Sequence, residues 1–369
     1  MLNRAEREEP HREEQPCGAP VHCPPATSPR RRARRALAAA FVVPALVGLA
    51  GSRPGRGLDP SGAPTASTDA DTPTPAPAGT APASGGSASP SPPGTRHGGT
   101  ESDGRWRTWV VHIPPRHGPS SPALVIALHG RLGTGAGEER LTGLDDVADG
   151  HGFVVVYPDG VGRSWADGRG VDPADRQGVD DVAFLSRLIS AFVHEGADPG
   201  RVYLTGMSDG AFMTQRFACE RSDLVAAIMP VAGTLGTGLP CRPARPVPVL
   251  KIHGTEDPLV PYLGGPVRGE GAQVESAPAA TARRRELDGC GPGVTTSAPV
   301  RGPDGTSVTV ARGTGCPSGV DVELWTVEGG GHTWPGGLPY LPAALIGRTS
   351  DAFSASEVGW RFFAGHPGR

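Results

Sequence analysis

Val202-Tyr203-Leu204-Thr205-Gly206-Met207-Ser208-Asp209-Gly210-Ala211-Phe212-Met213 sets an apolar run, a Gly-x-Ser-x-Gly turn and a helix-forming run in immediate succession. A serine held above a sheet needs this order. The strand must reverse sharply into a helix, so the residues two positions to either side must be small. The helix then points the positive end of its dipole at the hydroxyl. Ser208 is therefore a candidate nucleophile, although a bare Gly-x-Ser-x-Gly also arises by chance in a chain with 55 glycines.

Working outward, short runs of Val, Ile and Leu recur at 109–113, 123–128, 153–157, 226–231, 248–252 and 322–327. Helical spacing lies between several of them. In 179–194, Val182, Phe184, Leu185, Leu188, Ile189 and Phe192 fall on one face, with Asp180 and Asp181 suiting the first turn. Segments 210–219 and 276–287 also read as helices, and 353–363 as a closing one. Strand and helix in alternation predict an α/β fold: a mostly parallel, doubly wound sheet with flanking helices, in a single domain over 105–369.

The chain has 369 residues, with 35 basic against 38 acidic side chains and a net charge of −3. That balance gives no electrostatic case for nucleic acid as a partner. Glycine and the 41 prolines make up about a quarter of the chain, beside 5 % aromatic residues, which does not suit one uniformly packed chain. Part of the excess lies in 52–104, a Pro, Ala, Ser, Thr and Gly stretch that reads as a disordered linker. Residues 1–51 read as a leader with a secretory signal: a basic block at 30–35, an apolar run at 36–50 and a small-residue exit. The alternative is an uncleaved anchor, but Pro44 interrupts the run and it falls short of the ~20 residues of a span. Ser52 stands where lipidation would need cysteine. The expected location is extracellular, or the cell surface if the signal stays on. No stable membrane span is expected after processing.

A nucleophilic serine requires a base and an acid that orients it. Past the strand 248–252 the chain reads His253-Gly254-Thr255-Glu256-Asp257, and past 322–327 it reads Glu328-Gly329-Gly330-Gly331-His332-Thr333-Trp334. The order Ser208, Asp257, His332 is that of the α/β-hydrolases, with Glu256 the competitor for the acid. The three glycines are expected to let the backbone carry His332 back over the sheet edge. Oxyanion donors are expected from the backbone N–H of Asp209 and from the loop His129-Gly130-Arg131, at Arg131 with Gly130 as fallback. Trp334 and Trp165 are candidate walls for the acyl group, and packed structural indoles are the alternative. His129 and His253 are expected to brace the floor of the site. The remaining histidines have no partner motif, and no pair has metal-ligand spacing, so no metal is expected.

Cys17 and Cys23 precede the signal and would be lost on processing. Cys219, Cys241, Cys290 and Cys316 allow three connectivities in a secreted domain, with sequence neighbours the simplest, Cys219–Cys241 and Cys290–Cys316. Free buried thiols are the alternative.

Several segments together carry a resemblance: His129-Gly130, Tyr157-Pro158-Asp159-Gly160 with Trp165, Val179-Asp180-Asp181-Val182, the Ser208 turn, His253-Gly254-Thr255 with Asp257, and Gly330-Gly331-His332-Thr333-Trp334-Pro335-Gly336. From about residue 106 to 363 the chain resembles the polyhydroxybutyrate depolymerase-like esterases, which are similar to secreted feruloyl and acetyl xylan esterases. The resemblance implies an α/β-hydrolase fold, no cofactor, and a Ser–His–Asp triad at Ser208, His332 and Asp257. It also implies an ester substrate, polymeric or oligomeric, and a monomer is expected. Many relatives carry Asn or Ala where this chain has Asp209, and a Trp-containing helix where it reads Arg283-Arg284-Arg285-Glu286. These departures bear on substrate preference. A silent hydrolase-fold binding protein and a serine peptidase are the rival readings. The first would lack a triad member, and nothing such as a propeller domain supports the second.

Overall fold

The computed structural model describes residues 93–115 and 121–368. The leader and most of the linker read from the sequence lie outside the described residues. The strands, in chain order, are β1 Gly94–Ser102, β2 Arg105–Ile113, β3 Leu124–Leu128, β4 Val154–Pro158, β5 Val202–Met207, β6 Ala227–Val231 and β7 Val249–Gly254. They continue with β8 Gly265–Pro266, β9 Gln273–Val274, β10 Val294–Thr296, β11 Val300–Arg301, β12 Ser307–Gly313 and β13 Val322–Glu328. The helices are α1 Gly135–Thr142, α2 Leu144–His151, α3 Pro173–Arg176, α4 Asp181–His194, α5 Asp209–Glu220, α6 Ala277–Leu287, α7 Ala343–Ile346 and α8 Ala355–Gly365.

One sheet runs in the order β1-β2-β4-β3-β5-β6-β7-β13-β12-β10. From β4 to β13 neighbouring strands are parallel, and antiparallel strands flank this core on both sides. This is the α/β-hydrolase arrangement expected from the sequence. Side chains alternate across the sheet. Val125 and Ala127 pack toward α2 and α8, with Val147, Val358 and Phe363, while Leu124, Ile126 and Leu128 pack toward α4 and α5, with Leu185, Leu188 and Phe217. Asp180 caps α4 by accepting the Ala183 N–H at 2.9 Å. Asp181 is buried and pairs with Arg107 at 2.7 Å, tying α4 to β2. The structure joins Cys219 to Cys241 and Cys290 to Cys316.

The linker boundary needs correction. Residues 94–102, inside the stretch read as disordered linker, form β1 and pair along their whole length with β2. A two-residue Asp103-Gly104 turn joins them, both residues at positive φ, as hairpin turns of this kind demand. The glycines counted as spacer are seats for aromatic rings. A Cβ on Gly98 would lie 2.5 Å from the Trp109 indole, and one on Gly99 would lie 2.7 Å from that of Trp106. Among the described residues the fold therefore includes β1, ahead of the boundary at 105.

Removing β1 would leave one edge of β2 unpaired, the other staying on β4, and would uncover the Trp109 indole. A chain starting at residue 105 is expected to melt roughly 5 °C or more below one starting at residue 93. Equal melting temperatures in a thermal scan would show that β1 adds nothing.

Candidate active site

The parallel strands release their following loops at one edge of the sheet. There, β3 leads to His129–Arg131, β5 to Ser208, β7 to Asp257 and β13 to His332. Ser208 is half-buried and sits at φ 57°, ψ −116°, a strained setting for a residue with a side chain. The strain is held from both sides. Its N–H donates to Val231 O at 2.9 Å, and its own carbonyl accepts the N–H groups of Ala211 and Phe212 at 2.9 and 3.1 Å. Gly210 has no room for a side chain, since a Cβ there would lie 2.0 Å from Leu128 O. Ser208 Oγ has no hydrogen-bond partner among the described residues and is uncommitted.

His332 is buried, with Nδ1 2.7 Å from Asp257 Oδ2. An ionised carboxylate only accepts, so Nδ1 carries the proton and Nε2 is left as the basic nitrogen. The other oxygen, Asp257 Oδ1, accepts the N–H groups of Leu259 and Val260, both at 2.8 Å. Burial pushes the Asp257 carboxyl up, but the facing His332 with its hydrogen bond, and His253 Nε2 at 3.4 Å, outweigh it and hold the group well below the usual carboxylate range. Glu256 is exposed and contributes its N–H to Gly330 O, so Asp257 is the residue brought to His332. Of the three glycines before His332, only Gly329 has positive φ. Gly331 instead permits close passage: a Cβ there would lie 2.2 Å from Ile346 O.

The loop after β3 lies against Ser208, with the Cβ position of Gly130 only 3.3 Å from Ser208 Cβ. Neither the Arg131 nor the Asp209 N–H donates to a described residue, and Asp209 opens α5, where such donors are left over. His129 braces this loop. Its Nε2 accepts the Gly160 N–H at 2.9 Å and its Nδ1–H donates to Gly130 O at 2.8 Å, with burial lowering its basicity. His253 has a parallel role below Asp257, donating Nε2–H to Val260 O at 2.9 Å. The chain's single lysine, Lys251, is buried beside them and donates to Gly233 O. Burial lowers its ammonium to about 7, against the opposing charge of Asp257.

Trp165 and Trp334 do not wall a pocket, contrary to expectation. They are 0 % and 1 % exposed. Trp165 donates its indole N–H to His129 O and its backbone N–H to Asp209 Oδ2, both at 2.9 Å. Trp334 donates to Ser356 Oγ at 3.0 Å, joining the His332 segment to α8. Each indole found a polar partner inside, as a buried tryptophan requires. The apolar surface near the site comes instead from residues 338–345, Leu-Pro-Tyr-Leu-Pro-Ala-Ala-Leu, all exposed. The Ile346 O bond to His332 N and the Leu338 N bond to Leu141 O anchor this lip at its ends. Partial burial, and then the charge of Asp257, raise the Tyr340 hydroxyl.

The sequence reading also missed an ionic cluster beside the Ser208 turn. Asp209 turns its carboxylate inward to Arg169 at 3.1 Å. Among the described residues, Asp167, Asp172 and Asp175 lie close enough together to hold a cation, but Arg169 already pairs with the first two.

Comparison with known proteins points the same way. Residues 153–268 match the family described as Phospholipase/Carboxylesterase. The putative esterase NocK of Nocardia uniformis subsp. tsuyamanensis is 33 % identical over 288 residues, covering 71 % of this chain and 80 % of NocK. Feruloyl esterase B of Piromyces equi is 30 % identical, covering 61 % of this chain and 42 % of its own length. Poly(3-hydroxyalkanoate) depolymerase C of Paucimonas lemoignei is 32 % identical over 33 % of this chain and 30 % of its own.

Because the Asp257 carboxyl is depressed in the folded state, its ionised form stabilises the fold above the ordinary aspartate value near 4, and that contribution is lost as pH falls below it. Asp257→Asn is expected to be less stable than wild type at pH 7, with the gap narrowing below about pH 4. A gap in urea midpoint that stays constant with pH would contradict the assignment.

Proposed function

The chain belongs to the α/β-hydrolase esterases related to polyhydroxybutyrate depolymerases and feruloyl esterases and is a carboxylic ester hydrolase; we propose that it works through a Ser208–His332–Asp257 acyl-enzyme cycle. The observation that carries this reading is the buried His332–Asp257 hydrogen bond, formed at the same sheet edge as the strained Ser208 turn. His332 Nε2 takes the Ser208 proton as Oγ attacks the ester carbonyl carbon, and the carbonyl electron pair moves onto oxygen. The N–H groups of Asp209 and Arg131 receive that oxyanion. Collapse expels the alcohol, which takes the proton from His332. A water activated by the same imidazole then releases the acid. Asp257 stays ionised and steadies the imidazolium.

The substrate we propose is a polyhydroxybutyrate-type polyester or its oligomers. The lip at 338–345 supports this, since it offers no charged side chain and, beyond the Tyr340 hydroxyl, no side-chain hydrogen-bonding group. Such a surface suits an apolar polyester better than a hydrated polysaccharide. A feruloyl or acetyl xylan esterase is the second reading, favoured by the longer match to feruloyl esterase B. We place the enzyme outside the cell, as a monomer. The basic block and apolar run at 30–50 support export, and so do two disulfides, which persist in oxidising compartments. Among the described residues no helix is long and apolar enough to cross a membrane.

Hydrolysis of poly(3-hydroxybutyrate), methyl ferulate, acetylated xylan and a short-acyl chromogenic ester tests the reading. Ser208→Ala is expected to lose at least about 10⁴-fold in kcat, and Asp257→Asn about 10³ to 10⁴-fold. The polyester should be the best polymeric substrate. Full activity in Ser208→Ala would overturn the mechanism, and a preference for methyl ferulate or acetylated xylan would overturn the substrate.

A further inference from the structure

Arg169 lies in the segment between β4 and α3 with its side chain 3 % exposed. Its Nε donates to Asp167 Oδ2 at 2.7 Å and its Nη1 to Glu270 Oε2 at 2.5 Å. Its Nη2 donates to Asp172 Oδ2 at 2.9 Å and to Asp209 Oδ1 at 3.1 Å. The guanidinium plane stacks on the Phe212 ring, 3.8 Å from its centre, in the first turns of α5. Arg131 closes a ring with the same partners. Its Nε lies 3.0 Å from Asp172 Oδ1 and its Nη1 3.3 Å from Glu270 Oε1. Asp172 and Glu270 thus each give one oxygen to each arginine.

The two residues whose backbone N–H groups would receive the oxyanion, Asp209 at the start of α5 and Arg131 in the loop after β3, follow different strands. Both are fastened by their side chains to this one ring. Oxyanion stabilisation depends on donors fixed to within tenths of an ångström before the charge develops. We propose that Arg169 is a positioning residue that sets the spacing of the Asp209 and Arg131 N–H donors. This inference rests on the acyl-enzyme reading above. Only a planar fork with donors on several edges can hold four carboxylates at once, which a lysine cannot do. Arg169 also screens them. Without it, Asp167, Asp172, Asp209 and Glu270 would face one partner cation, Arg131, and would oppose a negative charge forming above Asp209. Burial pushes Asp172 to about 6, with the charges of Glu270 and Asp167 adding to it and Arg169 and Arg131 opposing, in keeping with a cluster richer in carboxylates than in cations.

The test compares two ketones shaped like a short acyl ester, using the full-length protein. A trifluoromethyl ketone accepts Ser208 Oγ at its carbonyl carbon, with the Oγ proton passing to His332, and becomes a tetrahedral oxyanion. The matching methyl ketone binds without that step. Arg169→Leu should lower kcat about 10²-fold with KM within about twofold, and should weaken the trifluoromethyl ketone by a similar factor. Methyl ketone affinity should not change. Arg169→Lys should recover part of the loss. Should Arg169→Leu fail to fold, Arg131→Leu carries the test, because that side chain is partly exposed and its backbone N–H is kept; about a tenfold loss of the same pattern is expected. Unchanged kcat and trifluoromethyl ketone affinity in Arg169→Lys and Arg131→Leu, or a rise in KM alone, would overturn the proposal while leaving the serine mechanism standing. A wild-type enzyme that binds both ketones equally would overturn the mechanism and the positioning role together.

Discussion

Six neighbouring strands run parallel at the centre of the sheet, and this constraint places everything else. Parallel strands end at the same edge, so residues far apart in sequence leave the sheet side by side. Asp257 and His332 come from adjacent strands, β7 and β13, and meet at 2.7 Å. Ser208 leaves β5, and the loop after β3, the strand next to it, lies against its side chain. The geometry is costly locally. Ser208 is held at positive φ, and close backbone passages at Gly210 and Gly331 exclude any side chain. The buried strands absorb that cost.

The electrostatics follow the same division. On one side of Ser208, His332 and two backbone N–H groups keep Asp257 ionised inside the protein. On the other, Arg169 and Arg131 hold four carboxylates beneath the residue that follows the serine. In the proposed mechanism the first arrangement orients the base, and the second sets the backbone donors. Replacing a buried ion cluster by apolar residues is often neutral for stability, which favours a role in specifying geometry for the cluster around Arg169.

Much of this was legible from the sequence. The core strands and the long helix α4 carry strong periodic patterns, and the structure places them where those patterns do. The Ser208, Asp257 and His332 segments were legible because each sits at a strand end with diagnostic small residues. The hairpin of β1 was not, because Gly98 and Gly99 look like linker composition and reveal their purpose only once Trp109 and Trp106 lie across them. The Asp103-Gly104 pair was the signal available for it. Trp165 and Trp334 were misread because a tryptophan beside a catalytic segment looks the same in sequence whether its ring faces a ligand or the core. The Arg169 cluster draws on residues 131, 167–172, 209 and 270, and no local pattern joins them. Its nearest clue was Asp209, a carboxylate next to Ser208 with no use in the proposed chemistry.

The central claim is that Ser208 is the residue that becomes acylated and that His332 activates it. Labelling the enzyme with a fluorophosphonate and locating the adduct by peptide mass spectrometry tests this most directly. The account expects one adduct, on Ser208, with labelling all but abolished in His332→Ala. An adduct on another residue, or labelling at the wild-type rate in His332→Ala, would contradict it.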